Sequence, residues 1–267
     1  MLDFKCLAYV SLLFIFCQTA YGQLGFSHEI GVIAGPVQFR SDFGNRSEEE
    51  TNIGNTGIGI GLVHYLNFSY SADCNCYTTD NYFNDHFKLR NEISFNKSKL
   101  DHFGRWVDPD KTSEEAKRLR GHSGEANNFD IGTQIEFFPL SLRSFQSFGY
   151  KIAPFVSLGV HYTAFTPKVT TTYANPDPNE IGNVLNPDNF YSYWEPGSVD
   201  ASPGSTFSVV SSIGFRYKLN KLSDLMLDLR GQYYFNDFVD GLDHQLSNNK
   251  NNDWLVWLNF GYIYYLD

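Results

Sequence analysis

From about residue 25 onward the chain alternates between apolar and polar residues with a period of two. A β-strand projects successive side chains to opposite faces, so such alternation predicts strands with two unlike sides. Eight runs carry the pattern, at roughly 25–38, 57–70, 86–97, 128–139, 151–165, 205–219, 223–235 and 253–266. Each spans about 11 to 15 residues, where soluble sheets favour about 5–6 and a tilted membrane strand needs about 9–11. In the second run Ile58, Ile60, Leu62, Leu66 and Phe68 oppose Gly57, Gly59, Gly61 and Asn67. In the third, Phe87, Leu89, Ile93 and Phe95 oppose Lys88, Arg90 and Glu92. In the fourth, Phe129, Ile131, Ile135 and Phe137 oppose Asp130, Gln134 and Glu136. Leu225, Leu227, Leu229 and Tyr233 oppose Asp228, Arg230 and Gln232, and the last run stacks Trp254, Val256, Leu258, Phe260, Tyr262, Tyr264 and Leu266 on one side.

Alternation by itself does not say which face points outward, because a soluble barrel with an apolar interior shows the same pattern. Three features favour an apolar exterior. The apolar face reads as free of charge, tolerating only His64, Asn91 and Thr133, as a lipid face demands when a mid-bilayer Arg or Lys costs about 2–4 kcal/mol. The other face is glycine-rich and nearly balanced: Glu29, Glu92, Asp130, Glu136 and Asp228 can meet Lys88, Arg90, Arg216, Lys218 and Arg230, and a narrow lumen needs such balance because an unpaired buried charge is expensive. The connections after the odd runs (roughly 18, 30, 39 and 17 residues) exceed those after the even runs (roughly 15, 11 and 3), the asymmetry of long outer loops and short periplasmic turns. The predicted fold is an all-β, eight-stranded, antiparallel, up-and-down transmembrane β-barrel of a bacterial outer membrane.

Composition agrees. Aromatic residues make up 17% of the 267 residues, and the net charge of −10 comes without any basic run, so nucleic-acid binding through a phosphate-neutralising patch is excluded. The N-terminus reads as a signal peptide over 1–22: Lys5, an apolar core from Leu7 to Phe16, and Ala20-Tyr21-Gly22 before the scissile position at Gln23. Phe16 is too bulky before Cys17 for lipoprotein processing, and the segment falls short of the about 20 apolar residues of a membrane helix. The remaining 23–267 forms the barrel.

The terminal run Asn259-Phe260-Gly261-Tyr262-Ile263-Tyr264-Tyr265-Leu266 resembles the last-strand signature that barrel-insertion machinery engages, with Asn259, Gly261, Tyr264 and Leu266 at its key positions and Asp267 as a departure. Thr112-Ser113-Glu114-Glu115 predicts a helix N-terminus within the 98–127 connection, and the Pro-, Asn- and Asp-rich 166–204 connection predicts an extended loop. Cys74 and Cys76 fall between the second and third strands, on the oxidising periplasmic side; they suit either a local bridge that stiffens a turn or a cross-link to a partner. His86 alone makes no zinc site with them.

No nucleotide fingerprint, nucleophile elbow or zinc-protease motif occurs, so neither catalysis nor a cofactor is expected. His64, on the lipid face near Ser69 and Tyr70, is the one candidate for lipid-modifying chemistry, and a polar side chain reaching the interface is the simpler reading. His161 faces the lumen.

Several segments resemble a family of outer-membrane barrels of Flavobacteriia and related Bacteroidetes. They are His28-Glu29-Ile30-Gly31-Val32, Gly59-Ile60-Gly61-Leu62, Cys74-Asn75-Cys76, Asn84-Asp85-His86-Phe87-Lys88 and Gly104-Arg105-Trp106-Val107-Asp108-Pro109. Through its opening strand and architecture that family resembles the PorG-type barrel of the type IX secretion system. The resemblance implies a non-enzymatic anchor whose turns dock periplasmic or lipoprotein components of a secretion or gliding assembly. A permeation or small-molecule-binding barrel, or a surface-loop adhesin, are the rival readings. Eight strands enclose space only for side chains, which disfavours an open pore.

Overall fold

A computed structural model describes residues 26–45, 48–70, 82–174, 177–184, 186–244, 246 and 251–266. The expected signal peptide, at 1–22, lies outside them. The strands are β1 (Ser27–Arg40), β2 (Thr56–Asn67), β3 (Phe87–Asp101), β4 (His122–Phe137), β5 (Ile152–Phe165), the short β6 (Lys168–Thr171), β7 (Gly204–Asn220), β8 (Ser223–Tyr234) and β9 (Trp254–Tyr265). All pairings are antiparallel, and the order β3-β2-β1-β9-β8-β7-β5-β4 closes on itself through β3–β4. Eight strands therefore make the barrel, and β6 pairs with the first residues of β4 above it.

The register fixes the barrel's dimensions. Stepping across paired residues from Ile30 leads to His64, Asn91, Thr133, Val160, Val209, Tyr233 and Trp254, and then to Arg40 on β1 again. Arg40 stands ten positions beyond Ile30, and that offset is the shear of the barrel. With a strand rise of about 3.3 Å and a strand spacing of about 4.8 Å, eight strands at this shear tilt by about 40° on a backbone radius of about 8 Å. The same geometry sorts the outward aromatics into two rings. Phe87, Phe137, Tyr217, Tyr262 and Tyr264 lie low, and Phe95, Phe129, Tyr162, Phe207, Tyr233 and Trp254 lie high. The rings are about 20 Å apart along the axis, close to the apolar band of about 25 Å expected of such barrels. Between them the outward side chains are mostly apolar, among them Val32, Leu62, Ile93, Ile131, Leu158, Ile213, Leu229 and Leu258, with His64, Asn91, Thr133 and Ser211 as uncharged polar exceptions.

Inside, the middle of the lumen is ionic and its two ends are greasy. Phe39, Phe43, Leu100, Ala126, Phe165, Leu242 and Leu255 are buried at the outer mouth. At the other mouth the β4–β5 connection folds back as helix α1 (Leu142–Gln146), capped by Ser141, and buries Leu142 and Phe145 near Phe138 and Phe155. Ring contacts tie Phe138 to Phe155 and Phe145 to Tyr150. Space for large lumen side chains comes from glycine: a Cβ on Gly59 would sit 2.3 Å from the Trp257 indole, which fills the lumen at that level.

Three expectations need adjusting. The outward face is not free of charge: Lys97 follows Phe95 on it, and Lys99, Asp101 and Glu125 lie beyond. All four stand above the outer aromatic ring, where β3 and β4 run on into water; Lys97 and Lys168 both pair with Glu125, at 3.0 and 3.2 Å. For the same reason β4 begins at His122 rather than near 128, because a strand wet on its outer face loses the apolar half of its alternation. The 68–86 connection between β2 and β3 is longer than the 41–55 connection between β1 and β2, so long and short loops do not strictly alternate. The helix expected near Thr112 is present at Glu114–Gly121; its cap is Ser113, whose hydroxyl accepts from the Ala116 amide.

Replacing Leu229, which faces outward midway between the rings, with Arg is expected to destabilise the folded barrel in lipid vesicles by about 2–4 kcal/mol. The Gln38→Arg change, at the outer edge, is expected to cost no more than about 1 kcal/mol. Equilibrium denaturant titrations of both variants check the difference.

Candidate functional site

The lumen is organised around buried charges. The side chains of Glu29, Lys88, Arg90, Glu92, Glu136, Arg216, Asp228 and Arg230 are all fully buried. Near the periplasmic end Lys88 donates to Glu29 at 2.5 Å, and Arg216 spans Glu29 and Glu136 at 2.6 and 3.1 Å. Arg90 then reaches Glu136 (3.5 Å), Asp228 (3.0 Å) and Glu92 (2.8 Å). Higher still, Arg230 closes a two-pronged bond onto Glu92 at 2.6 and 2.7 Å, with its guanidinium over the Trp257 ring. The result is one unbroken ionic chain from Lys88 to Arg230 that ties β3 to β8 across the lumen.

The other lumen residues singled out in the sequence attach to its two ends. Lys218 pairs with Asp224 at 3.3 Å, and Asp130 accepts from Thr163 and Gln232 at 2.5 and 2.8 Å. His161 meets Gln134 at 3.2 Å. Asp224, which also bonds the Tyr265 hydroxyl, did not stand out in the sequence. It is the second residue of β8, where alternation has only just begun.

A second constellation sits above the barrel and was not visible in the sequence. All four outer connections meet there. Phe43 stacks on His102 and His122, whose rings bond each other at 2.7 Å. Trp194, from the long β5–β7 connection, packs against both histidines and against His244. The His244 amide donates to the buried Asp42 carboxylate, and its ring lies 3.6 Å from the same group. Enclosure among these rings, with His244 adding to it, pushes the His102 imidazole down to about 3. It is therefore neutral at ordinary pH. The one hint in the sequence was the aromatic run Phe190-Tyr191-Ser192-Tyr193-Trp194 inside an otherwise polar loop.

The remaining candidates are dispersed. His64 points outward and bonds His28 (3.0 Å) and Asn91 (3.4 Å). Ser69 is held at the periplasmic mouth by Asn67 and Gln146, so the structure does not bring His64 and Ser69 together. His86 bonds the Phe138 carbonyl at 2.6 Å. Cys74 and Cys76 lie outside the described residues. On β9, Asn259 points inward to Asp228 at 2.6 Å and Gly261 lines the lumen, while Tyr264 and Leu266 are exposed.

No family model and no curated protein matches the chain. Among solved structures it is similar to the Neisserial surface protein A at 10% identity and TM-score 0.42, over 89% of this chain and 96% of that one. It is also similar to the attachment invasion locus protein Ail of Yersinia pestis (9%, TM-score 0.41, 91% and 100%). A third likeness is to a major outer membrane protein of Thermus thermophilus (13%, TM-score 0.44, 90% and 99%). The apolar girdled wall, the ionic lumen and the closed eight-stranded sheet make this chain an outer-membrane β-barrel surrounded by lipid.

Truncating Glu92 to Ala leaves Arg90 with Glu136 and Asp228 but takes from Arg230 its carboxylate partner, and a broken buried pair of this kind costs about 3–5 kcal/mol. The double variant Glu92→Ala with Arg230→Met is expected to recover part of that loss, giving a coupling of about 1–3 kcal/mol in a double-mutant cycle. Additive effects in denaturant titrations would contradict a shared lattice.

Proposed function

We propose that this protein is a non-enzymatic outer-membrane anchor that works through its two ends and conducts nothing through its middle. The carrying observation is the filled lumen: among the described residues the ionic chain occupies its centre and apolar side chains occupy both mouths. With a backbone radius of about 8 Å, little space is left once Arg, Glu and Trp side chains point inward.

The docking reading makes it a structural component of a cell-envelope assembly, of the secretion or gliding kind that the sequence resembles. Its structural support is a built periplasmic face. The β2–β3 and β4–β5 connections are bonded to each other, with the Arg143 amide donating to Asp85 at 2.9 Å and the Ser69 hydroxyl to Gln146 at 3.2 Å. Tyr82, Phe83, Leu140 and Phe148 are exposed there. Periplasmic or lipoprotein components are the proposed partners, and barrel-insertion machinery is the proposed reader of Asn259, Gly261, Tyr264 and Leu266. The rival reading, a surface-binding barrel, is favoured by the meeting of all four outer connections around Trp194.

The test has two arms. Purified protein in planar bilayers is expected to show no conductance above that of the lipid, and discrete channel steps from the unmodified chain would overturn the sealed-anchor reading. A photo-reactive side chain at position 82 or 148 is expected to capture a defined periplasmic protein in cells, whereas the same group at position 106, on the outer side, is expected to capture none. Equal silence at 82 and 148 would overturn docking.

A further inference from the structure

The four outer connections also leave a pocket between them, with a cavity of about 220 Å³ open to the cell exterior. Its lining includes the aromatic rings of Phe103, Tyr191 and Trp194. The same lining carries polar groups of the β1–β2 connection, the buried Asp42 and the more open Asn45 and Glu48. These polar groups are held in place before any ligand arrives. Asp42 is fixed by the His244 amide, the Asn45 amide donates to Thr51 at 2.9 Å, and the Asn45 side chain donates to Glu48 at 3.1 Å. Phe103 is fixed too: a Cβ on Gly54 would lie 2.1 Å from the Phe103 ring, so only glycine lets that ring lie against the chain.

We infer that this pocket binds one pyranose ring of an extracellular carbohydrate. A pyranose is amphipathic in the matching way, with C–H groups that pack on aromatic faces and equatorial hydroxyls that need directional acceptors and donors at the rim. The cavity is smaller than the roughly 300–1,000 Å³ of sites for drug-sized ligands, and fits a single ring. An acyl chain has no hydroxyl to offer the acceptor positions that Asn45 and Glu48 keep beyond their mutual bond. A phosphorylated ligand would meet two carboxylates with Arg105 as the nearby cation. Trp106 lies beside both Arg105 and Lys111, and Trp194 is already packed against His102, His122 and His244, so the stacking role falls to Tyr191. The inference is independent of periplasmic docking.

The experiment uses the full chain folded in phospholipid nanodiscs, because sugar-headed detergents would compete. Tryptophan fluorescence, with Trp106 and Trp194 at the pocket, is followed while methyl α-glucoside, methyl α-galactoside, methyl α-mannoside or N-acetylglucosamine is added. Glycerol serves as the acyclic polyol control. At least one pyranoside is expected to give a saturable change that glycerol does not. Its affinity is expected to fall about tenfold or more in Tyr191→Ala, to stay near the parent value in Tyr191→Phe, and to weaken in Glu48→Gln. Heat-dependent gel mobility shows that each variant is folded, and Glu48→Gln, at an exposed site, serves if Tyr191→Ala does not fold. Absence of saturation with all four sugars, equal response to glycerol, or parental affinity in both Tyr191→Ala and Glu48→Gln would overturn the proposal.

Discussion

The pairing of Arg90 and Arg230 through Glu92 holds this structure to one form. Arg90 and Glu92 come from β3 and Arg230 from β8, on opposite walls, and all three side chains are fully buried. Charges withdrawn from water tolerate few arrangements, because losing one partner leaves the other without solvation. A register slip of one residue on β3 would turn Arg90 and Glu92 toward lipid and bring Leu89, Asn91 and Ile93 into the lumen. The ionic chain therefore specifies register and closure more than it adds net stability, since replacing such pairs with apolar groups is often neutral.

Everything else follows from a lumen that must be filled. The wall supplies glycine where large side chains need room, as at Gly59 beneath Trp257. The mouths supply apolar closure, from Phe39 and Leu255 above and from Phe145 below. With the interior committed to holding the barrel together, the recognition proposed above falls to the connections. Their architecture is graded accordingly: a two-residue turn at 221–222, a packed periplasmic face around Arg143 and Asp85, and four outer connections gathered around Trp194.

The barrel was legible in the sequence because lipid and lumen impose opposite demands at every second residue. Leu225, Leu227 and Leu229 against Asp228 and Arg230 states the fold in a few positions. Legibility ended where the solvent changed. Above the outer aromatic ring, Lys97, Lys99, Glu125 and Asn127 face outward while Leu100 and Ala126 face inward, so the apolar-outward pattern is lost and six residues at the start of β4 read as loop. The inward residues could be assigned to a face, but which cation meets which anion depends on shear, and only the closed register shows that Arg230 reaches Glu92 rather than its neighbour Asp228. The outer pocket had no periodic signal at all. Asp42, His102, Trp194 and His244 belong to four different connections, and sequence spacing says nothing about loops that meet only after the barrel has closed.

The central claim is the orientation of the wall, with apolar side chains in lipid and ionised ones sealed within. Spin labels on single cysteines at positions 62 and 258 on one face, and 94 and 212 on the other, test it directly in reconstituted vesicles. The account predicts high collision rates with oxygen and low rates with a water-soluble nickel chelate at 62 and 258, with both rates low at 94 and 212. Nickel contact at 62 and 258 equal to that of an exposed loop site would contradict it.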